Sequence, residues 1–314
     1  MDTGHGRRAL RLRPALPAVA LLAMSGTALL WASAFVGIRA AVDEIPPLSL
    51  AVVRYMIASA VLAAAMAANR TSVPRRDAWP RLAVVGFLGI AVYNVALNVG
   101  LTSTDAGSAS FLVNTAPIFS AIFAALLLGE VIPRPVRVGI LFGFLGVTLL
   151  ILGQGHGFTL RPAALAVLLA AIAQSLYFIV QKPLLVRYSA LQVVSLAVWI
   201  GTALMLPLAV VAIPDFWRAP LSDQLLTVYL GVFPAALAYA LWSIALRRVP
   251  VATAAGFLYT VPPTAVLLAW VFLDEIPSTL TLVGGAIALA GVVTVNTLRA
   301  EPGPEDEREV AAQA

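Results

Sequence analysis

Residues 114–130 read NTAPIFSAIFAALLLGE, and residues 259–275 read YTVPPTAVLLAWVFLDE. The two stretches align without a gap at an offset of 145 residues, and each has a proline at its fourth position and a glutamate at its end. The same offset aligns two further pairs of glycines, Gly139 with Gly284 and Gly146 with Gly291. The chain is therefore built from two copies of one unit.

The composition places this repeated unit in a membrane. Apolar residues make up 61% and charged residues 11% of the 314 positions, which leaves too few polar side chains to cover a soluble domain of this length. A chain in lipid satisfies its own backbone hydrogen bonds, either as helices or as a closed barrel. Long apolar runs at 141–152 and 163–173, without the alternation of barrel strands, indicate helices.

The apolar runs and the polar connectors between them predict ten transmembrane helices. The predicted spans are 17–40, 48–68, 82–102, 106–128, 137–155, 162–182, 190–213, 222–246, 251–273 and 279–298. Five spans fall in each copy, and an odd number makes the second copy enter the membrane from the opposite face. We therefore expect an all-α integral membrane protein of two inverted five-helix repeats, residues 17–155 and 162–298, between an N-terminal tail at 1–16 and a disordered C-terminal tail at 299–314.

Arginine determines the predicted orientation. Loops on the side of the N-terminus contain most of the basic residues, for example at 70–81, 134–137 and 247–248, whereas Arg161 and Arg218 lie in loops on the other side. The positive-inside rule then predicts a multi-pass protein of the bacterial inner membrane with both termini and both tails in the cytoplasm. The net charge of +5 is explained by this topology, so the predicted surrounding is the lipid bilayer and no nucleic-acid partner is expected.

Several motifs resemble a known family. The Trp31-Ala32-Ser33-Ala34-Phe35 stretch, Arg54 early in the second span, and the paired endings at Glu130 and Glu275 are similar to the drug/metabolite transporter superfamily, EamA type. The resemblance implies a ten-helix basket around a central cavity. It also implies export of amino acids, other small metabolites or toxic organic compounds, with the YddG-type exporters of aromatic and other neutral amino acids as the most similar group.

Polar and aromatic side chains within the spans are the candidates for a substrate cavity, because such groups in lipid-buried helices usually face a cavity or another helix. Asn94 and Asn98 share one helix face, and the second repeat has Tyr239 and Ser243 at the matching positions. The full candidate set is Trp31, Tyr93, Asn94, Asn98, Asn114, Gln174, Tyr177, Tyr239, Ser243 and Tyr259. The alternative is that these groups hydrogen-bond between helices and only hold the bundle together. Trp242, near the cytoplasmic boundary, fits an interface anchor as well as a cavity.

Arg54 has two interpretations. It can hold a substrate carboxylate, or it can act as a structural charge that pairs with Asp43 or Glu44 or extends to the membrane surface. The nearness of those carboxylates in the sequence, for which Arg39 also competes, favours the structural role.

Glu130 and Glu275 are likewise predicted to be structural charges. We expect each to tie its turn to the next helix, Glu130 by pairing with Arg134 or Arg137 and Glu275 by capping backbone N–H groups.

Prolines and glycines predict where the bundle bends and packs. Pro117 lies near the middle of the fourth span and Pro262-Pro263 at the equivalent place in the ninth. They are expected to bend these helices and to act as hinges that close opposite mouths of the cavity, the alternative being static kinks. Gly139 and Gly143, with Gly284-Gly285, predict close helix packing, within a monomer or in a weak homodimer.

The sequence contains no Asp or Glu at mid-span, no cysteine, and histidines only at positions 5 and 156. We therefore expect no catalytic residues, no metal and no cofactor, and a membrane-embedded enzyme is the least favoured alternative. The predicted function is that of a secondary transporter that exports small neutral or zwitterionic metabolites, above all amino acids, by alternating access. Export of amphipathic or cationic toxic compounds is the alternative.

Overall fold

The computed structural model describes residues 18–128, 134–153, 162–246, 248 and 257–299. Within these residues every regular element is a helix, as the composition predicts. The α-helices are α1 (Ala18–Ala41), α2 (Pro47–Ala68), α3 (Trp79–Gly86), α4 (Tyr93–Gly100), α5 (Ala106–Val113), α6 (Ala116–Leu128), α7 (Arg134–Gly153), α8 (Pro162–Arg187), α9 (Ala190–Met205), α10 (Ala209–Arg218), α11 (Leu221–Val232), α12 (Ala238–Leu246), α13 (Val261–Leu273) and α14 (Thr279–Arg299).

The described helices form ten segments, S1 to S10, that cross the bundle in turn. In order, S1 is α1, S2 is α2, S3 is α3 and α4, S4 is α5 and α6, S5 is α7, S6 is α8, S7 is α9 and α10, S8 is α11 and α12, S9 is α13 with the 3-10 turn before it, and S10 is α14. Among the described residues, six helical stretches are long and apolar enough to cross a membrane. The predicted all-α membrane fold of two repeats is confirmed, with segment ends moved by a few residues. Residues 251–256 of the ninth predicted span lie outside the described residues.

The packing of the segments follows the inverted repeat. An exchange of S1–S5 with S6–S10 converts each main contact into another that is present: S1–S8 becomes S6–S3, S1–S9 becomes S6–S4, and S2–S8 becomes S7–S3. The pairs S2–S7, S4–S9 and S5–S10 map onto themselves and also pack together. These self-paired contacts are expected along a pseudo-twofold axis that lies in the membrane plane.

S5 and S10 make the most extensive contact, and glycines allow it. A Cβ atom added to Gly291 would lie 2.6 Å from both the Gly139 oxygen and the Gly143 nitrogen. A Cβ atom on Gly284 would lie 2.9 Å from the Leu150 nitrogen. Two helix backbones approach this closely only where side chains are absent. Gly139 and Gly143 thus serve helix packing within the chain, which is the first of the two arrangements that the sequence predicts for them.

S3 and S8 each contain a short π-helical segment that hydropathy does not predict. These segments are Phe87–Val92 and Phe233–Leu237, and the 145-residue offset places 87–92 on 232–237. In S8, Pro234 has no backbone N–H and cannot donate the hydrogen bond of a regular α-helical turn, which explains the wider turn there. In S3 the equivalent residue is Gly89. A π segment rotates the side chains that follow it, and such segments are frequent at functional sites.

S4 and S9 are not the continuous helices, bent at their prolines, that the sequence predicts. S4 is divided between α5 and α6, and α13 is preceded by the 3-10 turn Leu258–Thr260. Pro117, Pro262 and Pro263 lie in the first turn of the helix after each break, where a missing N–H removes no intrahelical bond. The expectation of a bend caused by a lost hydrogen bond is therefore wrong, and the helices are interrupted just before the prolines.

Two threonines stabilise the interruptions. Thr115 Oγ1 donates to the Leu112 oxygen at 2.6 Å, and Thr260 Oγ1 donates to the Phe257 oxygen at the same distance. Both pairs are related by the 145-residue offset. Each hydroxyl adds a local hydrogen bond to a carbonyl near the end of the first half of its segment, which stabilises the turn there.

Candidate functional site

Polar contacts tie the loops together at each end of the bundle. At one end Glu275 accepts hydrogen bonds from Arg39 Nε at 3.1 Å and from the Ala106 N–H at 2.9 Å. At the other end Gln192 Nε2 donates to the Ser72 oxygen at 2.7 Å. We call the first the Glu275 end and the second the Ala190 end, after the residue that begins α9 there.

A narrow cavity lies between S1, S6, S7 and S8 and reaches the Ala190 end. Its volume is about 30 Å³, room for about two water molecules, so it is closed around less space than an amino acid occupies. The lining residues are all uncharged: Trp31, Gln174, Tyr177, Phe178, Gln181, Leu185, Ala190, Val194, Tyr239 and Trp242.

Four of the predicted site residues meet at this cavity: Trp31, Gln174, Tyr177 and Tyr239. The rings of Trp31 and Tyr239 pack edge to face, with 5.4 Å between centroids, and the ring of Trp242 lies 5.7 Å from that of Trp31. This cluster gives one wall of the cavity an aromatic surface. None of the lining side chains is charged, so the selectivity of the cavity for polar substrates depends on amide and hydroxyl groups.

A buried polar layer continues from the cavity toward the Glu275 end. The Tyr55 hydroxyl is within hydrogen-bonding reach of Asn94 and Tyr239. The Asn94 side chain also donates to the Ile90 oxygen in the π segment of S3, at 3.0 Å. Gly89, in the same π segment, leaves space that the Tyr177 ring fills. The π segment therefore shapes the cavity wall through Tyr177 and the buried polar layer through Asn94.

Arg54 and Asn98 form the next layer. Arg54 Nη1 donates to Asn98 Oδ1 at 3.2 Å, and Asn98 Nδ2 donates to the Pro47 oxygen at 3.1 Å. Pro47 begins α2 at the Glu275 end, so Arg54 lies roughly 10 Å along the helix from that end. The predicted partners of Arg54 are wrong: Asp43 pairs with Arg39 at 3.0 Å instead.

The remaining predicted residues do not line the cavity. Tyr93 lies beside Arg54 and Tyr55, close enough to interact with them electrostatically. Asn114 donates to the Ser110 oxygen at the break in S4, and Tyr259 packs against Ile118 and Val292. The side chain of Ser243 and the whole of Glu130 lie outside the described residues.

Glu275 caps a helix at this end, but it is a helix of the first repeat and not, as the sequence predicts, the next helix in the chain. Its carboxylate joins S1, through Arg39, to the first residue of S4, Ala106. Asp105 caps the same helix by accepting from the Ser108 N–H at 2.7 Å. Burial raises the pKa of Glu275 above its ordinary value, while the Ala106 N–H and Arg39 oppose that rise.

Known proteins show the same architecture. The model of the EamA-like transporter family matches twice, at residues 18–152 and 161–297. The chain belongs to the EamA-like transporter family. It is 38% identical over 277 residues to a probable terminal-alkyne amino-acid exporter of Streptantibioticus cattleyicolor, covering 88% of this chain and 93% of that one. It is 35% identical to the uncharacterized transporter YdfC of Bacillus subtilis, over 84% of this chain and 86% of that one. A crystal structure with 25% identity superposes with a TM-score of 0.62 and covers 90% of this chain and 99% of that one.

Members of the EamA-like family are transporters, so this chain is a multi-pass membrane transporter of small molecules and the enzyme alternative is wrong. In this EamA-like transporter, Tyr239 contacts Tyr55 and Tyr55 contacts Arg54, so the cavity and the two buried layers are connected by side-chain contacts, which we call the polar track. The track runs from the Ala190 end to Pro47 at the Glu275 end, and it connects both repeats.

Sequence reasoning missed several residues of this track in the EamA-like transporter, among them Tyr55 and Phe178. Tyr55, which is 2% exposed, follows Arg54 directly and could have been found as a second polar group in the same turn of a lipid-buried helix. Phe178 has no such signal, because an isolated apolar ring in an apolar span is indistinguishable from core or lipid-facing residues.

Proposed function

We propose that this protein exports small neutral or zwitterionic metabolites, most readily amino acids, by alternating access. The observation that carries the proposal is the uncharged aromatic and amide cavity between the repeats, which Tyr239 joins to the buried polar track. Such a surface suits solutes whose own charges are few or internally balanced. The name of the Streptantibioticus relative as an amino-acid exporter supports the same substrate class.

The proposed orientation places the Ala190 end in the cytoplasm. Loops at that end contain Arg70, Arg75, Arg76 and Arg187, whereas the Glu275 end has mainly acidic residues, among them Asp105. This asymmetry supports cytoplasmic termini in a bacterial inner membrane. The cavity would then adjoin the cytoplasm, where an exporter loads its substrate.

Single cysteines test the orientation, because the chain has none of its own. We expect Arg75→Cys to resist an impermeant thiol reagent applied to intact cells and to react after the membrane is permeabilised. Glu44→Cys, at the opposite end, is expected to react in both conditions. The reverse labelling pattern would contradict the proposed orientation.

Alternating access requires the Glu275 end to open. We propose that the breaks in S4 and S9 act as hinges, so that Pro117 and Pro262-Pro263 mark where each half-segment turns. α5 lies beyond the break in S4 and begins at Ala106, which Glu275 holds. Movement of α5 would therefore have to break the bond between Glu275 and the Ala106 N–H.

A second substrate class is favoured by one observation. The Trp31, Tyr239 and Trp242 cluster can bind an organic cation through its aromatic faces. Amphipathic or cationic toxic compounds are therefore the alternative cargo.

Transport into sealed liposomes distinguishes the two classes. We expect purified protein to exchange a labelled neutral amino acid, and Tyr239→Ala to reduce that exchange at least about tenfold, because the ring contributes both cavity surface and a hydrogen bond. Leu267→Ala, on an exposed face of α13, is the matched control and should exchange normally. Exchange of organic cations without amino acids would favour the alternative, and normal exchange by Tyr239→Ala would exclude this cavity from the path.

A further inference from the structure

Arg54 is a buried positive charge with no ion-pair partner in the part of the chain that the structure describes. Its side chain is in the interior of the bundle, and the residue is 3% exposed. The ion pairs among the described residues involve Arg39 and Arg187, and none involves Arg54. The Arg54 Nε atom has no hydrogen-bond partner there. The hydrogen bond from Nη1 goes to a neutral amide, and Cζ lies 5.8 Å from the Tyr55 ring.

This arrangement is not explained by packing alone. An arginine keeps its charge in proteins, and a buried charge is strongly unfavourable unless it is paired and hydrogen-bonded. An apolar side chain of similar volume would hold the same helices together without that cost. The free N–H therefore indicates a partner that arrives during the transport cycle.

From this geometry we infer that Arg54 binds the carboxylate of the transported molecule. The guanidinium presents parallel N–H groups that match the two oxygens of a carboxylate. This inference rests on the proposed function and narrows it, since the substrates would be molecules with a free carboxylate, such as α-amino acids with uncharged side chains.

The ammonium group of such a substrate has a site in the cavity beyond Tyr55. Trp31, Tyr239 and Trp242 offer aromatic faces in the cavity, and these attract cations. Tyr239 belongs to the cavity wall and also lies close enough to Arg54 to interact with it electrostatically. The carboxylate of a zwitterion would thus meet Arg54, and its ammonium group would meet the aromatic rings. A simple organic cation would be repelled by Arg54.

Competition in sealed liposomes tests the inference on the wild-type protein. Exchange of a labelled neutral amino acid is measured against the unlabelled amino acid, its α-amide and its decarboxylated amine. We expect the amide and the amine to compete at least about tenfold less well, because each loses a charge-assisted hydrogen bond to Arg54. Equal competition by the amide would overturn the role of Arg54. Absence of exchange for every amino acid tested would contradict the proposed function itself.

Variants of Arg54 then test whether this residue causes the preference for the free acid over the amide. Arg54→Gln should raise the KM for the amino acid at least about tenfold and abolish the preference for the free acid over the amide. Arg39→Gln is the matched control, because Arg39 already pairs with Asp43 and Glu275; it should keep that preference even if its rate changes. If Arg54→Gln does not fold, Arg54→Lys should keep a reduced preference, since it retains the charge without the planar fork. A variant of Arg54 that folds and discriminates like the wild type would overturn the inference.

Discussion

Replacement of Gly291 by alanine is expected to lower the free energy of unfolding by about 1–3 kcal/mol. The added Cβ atom would lie 2.6 Å from two backbone atoms of α7, the Gly139 oxygen and the Gly143 nitrogen. Backbone cannot rotate away as a side chain can, so α7 and α14 would have to separate. Intrinsic helix propensity acts in the opposite direction, because alanine favours a helix over glycine by about 1 kcal/mol. Any loss of stability therefore reports the steric contact.

Gly26→Ala in α1 is the matched control for this substitution. Its Cβ atom would lie 3.1 Å from Leu241 Cδ1, the end of a flexible side chain. Thermal or denaturant unfolding in detergent micelles should give a lower midpoint for Gly291→Ala and an unchanged or higher midpoint for Gly26→Ala. If Gly291→Ala were as stable as the wild type, the close contact between S5 and S10 would not be the packing that these glycines serve.

The fold could be predicted from the sequence because two strong signals coincide. Lipid requires long apolar helices, which fixes the number and position of the spans within a few residues. The repeated Pro and Glu positions then relate the two halves at a constant offset. Both signals depend on residue type along the chain, which hydropathy and alignment measure directly.

The π segments and the breaks before the prolines could not be predicted in this way. Gly89 and Pro234 differ in chemistry, yet both lie in π segments, so residue type alone does not specify the backbone register. Thr115 and Thr260 were also overlooked, although their hydroxyls bind carbonyls at the two breaks. A threonine two residues before a mid-span proline is a signal that could have been used.

Arg54 shows why partners within the membrane are hard to infer from nearness in sequence. Asp43 is four residues after Arg39 on the same helix end, so it forms the local pair that helical spacing allows. Arg54 lies two turns into the next helix and faces Asn98 of another segment. Candidate residues such as Trp31 and Tyr239 could be found because a side chain with a polar group is rare in an apolar span. Their partners could not be found in this way, because they depend on how distant helices pack.

A covalent tether across the Glu275 end is expected to reduce transport to near background. Asp105 and Glu275 both line a cavity of about 280 Å³ at this end, so Asp105→Cys combined with Glu275→Cys allows a short, reducible thiol crosslinker to join the start of α5 to the loop before α14. If α5 must swing about the break in S4 to open this end, the tether blocks one half of the cycle. Transport should return when the crosslinker is reduced.

The cysteine-free chain provides a control with the same chemistry. Arg39→Cys combined with Asp43→Cys joins two residues four apart at the end of one helix, where an ion pair of 3.0 Å already exists, and it leaves α5 free. Each double variant is compared before and after crosslinking, so the loss of the Asp105 cap and of the Glu275 contacts is included in the uncrosslinked rate. We expect a large decrease only for the tether between Asp105 and Glu275. Equal transport by that variant with and without the tether would show that this end does not open by movement of α5, and the breaks at Thr115 and Thr260 would then be fixed features of the bundle.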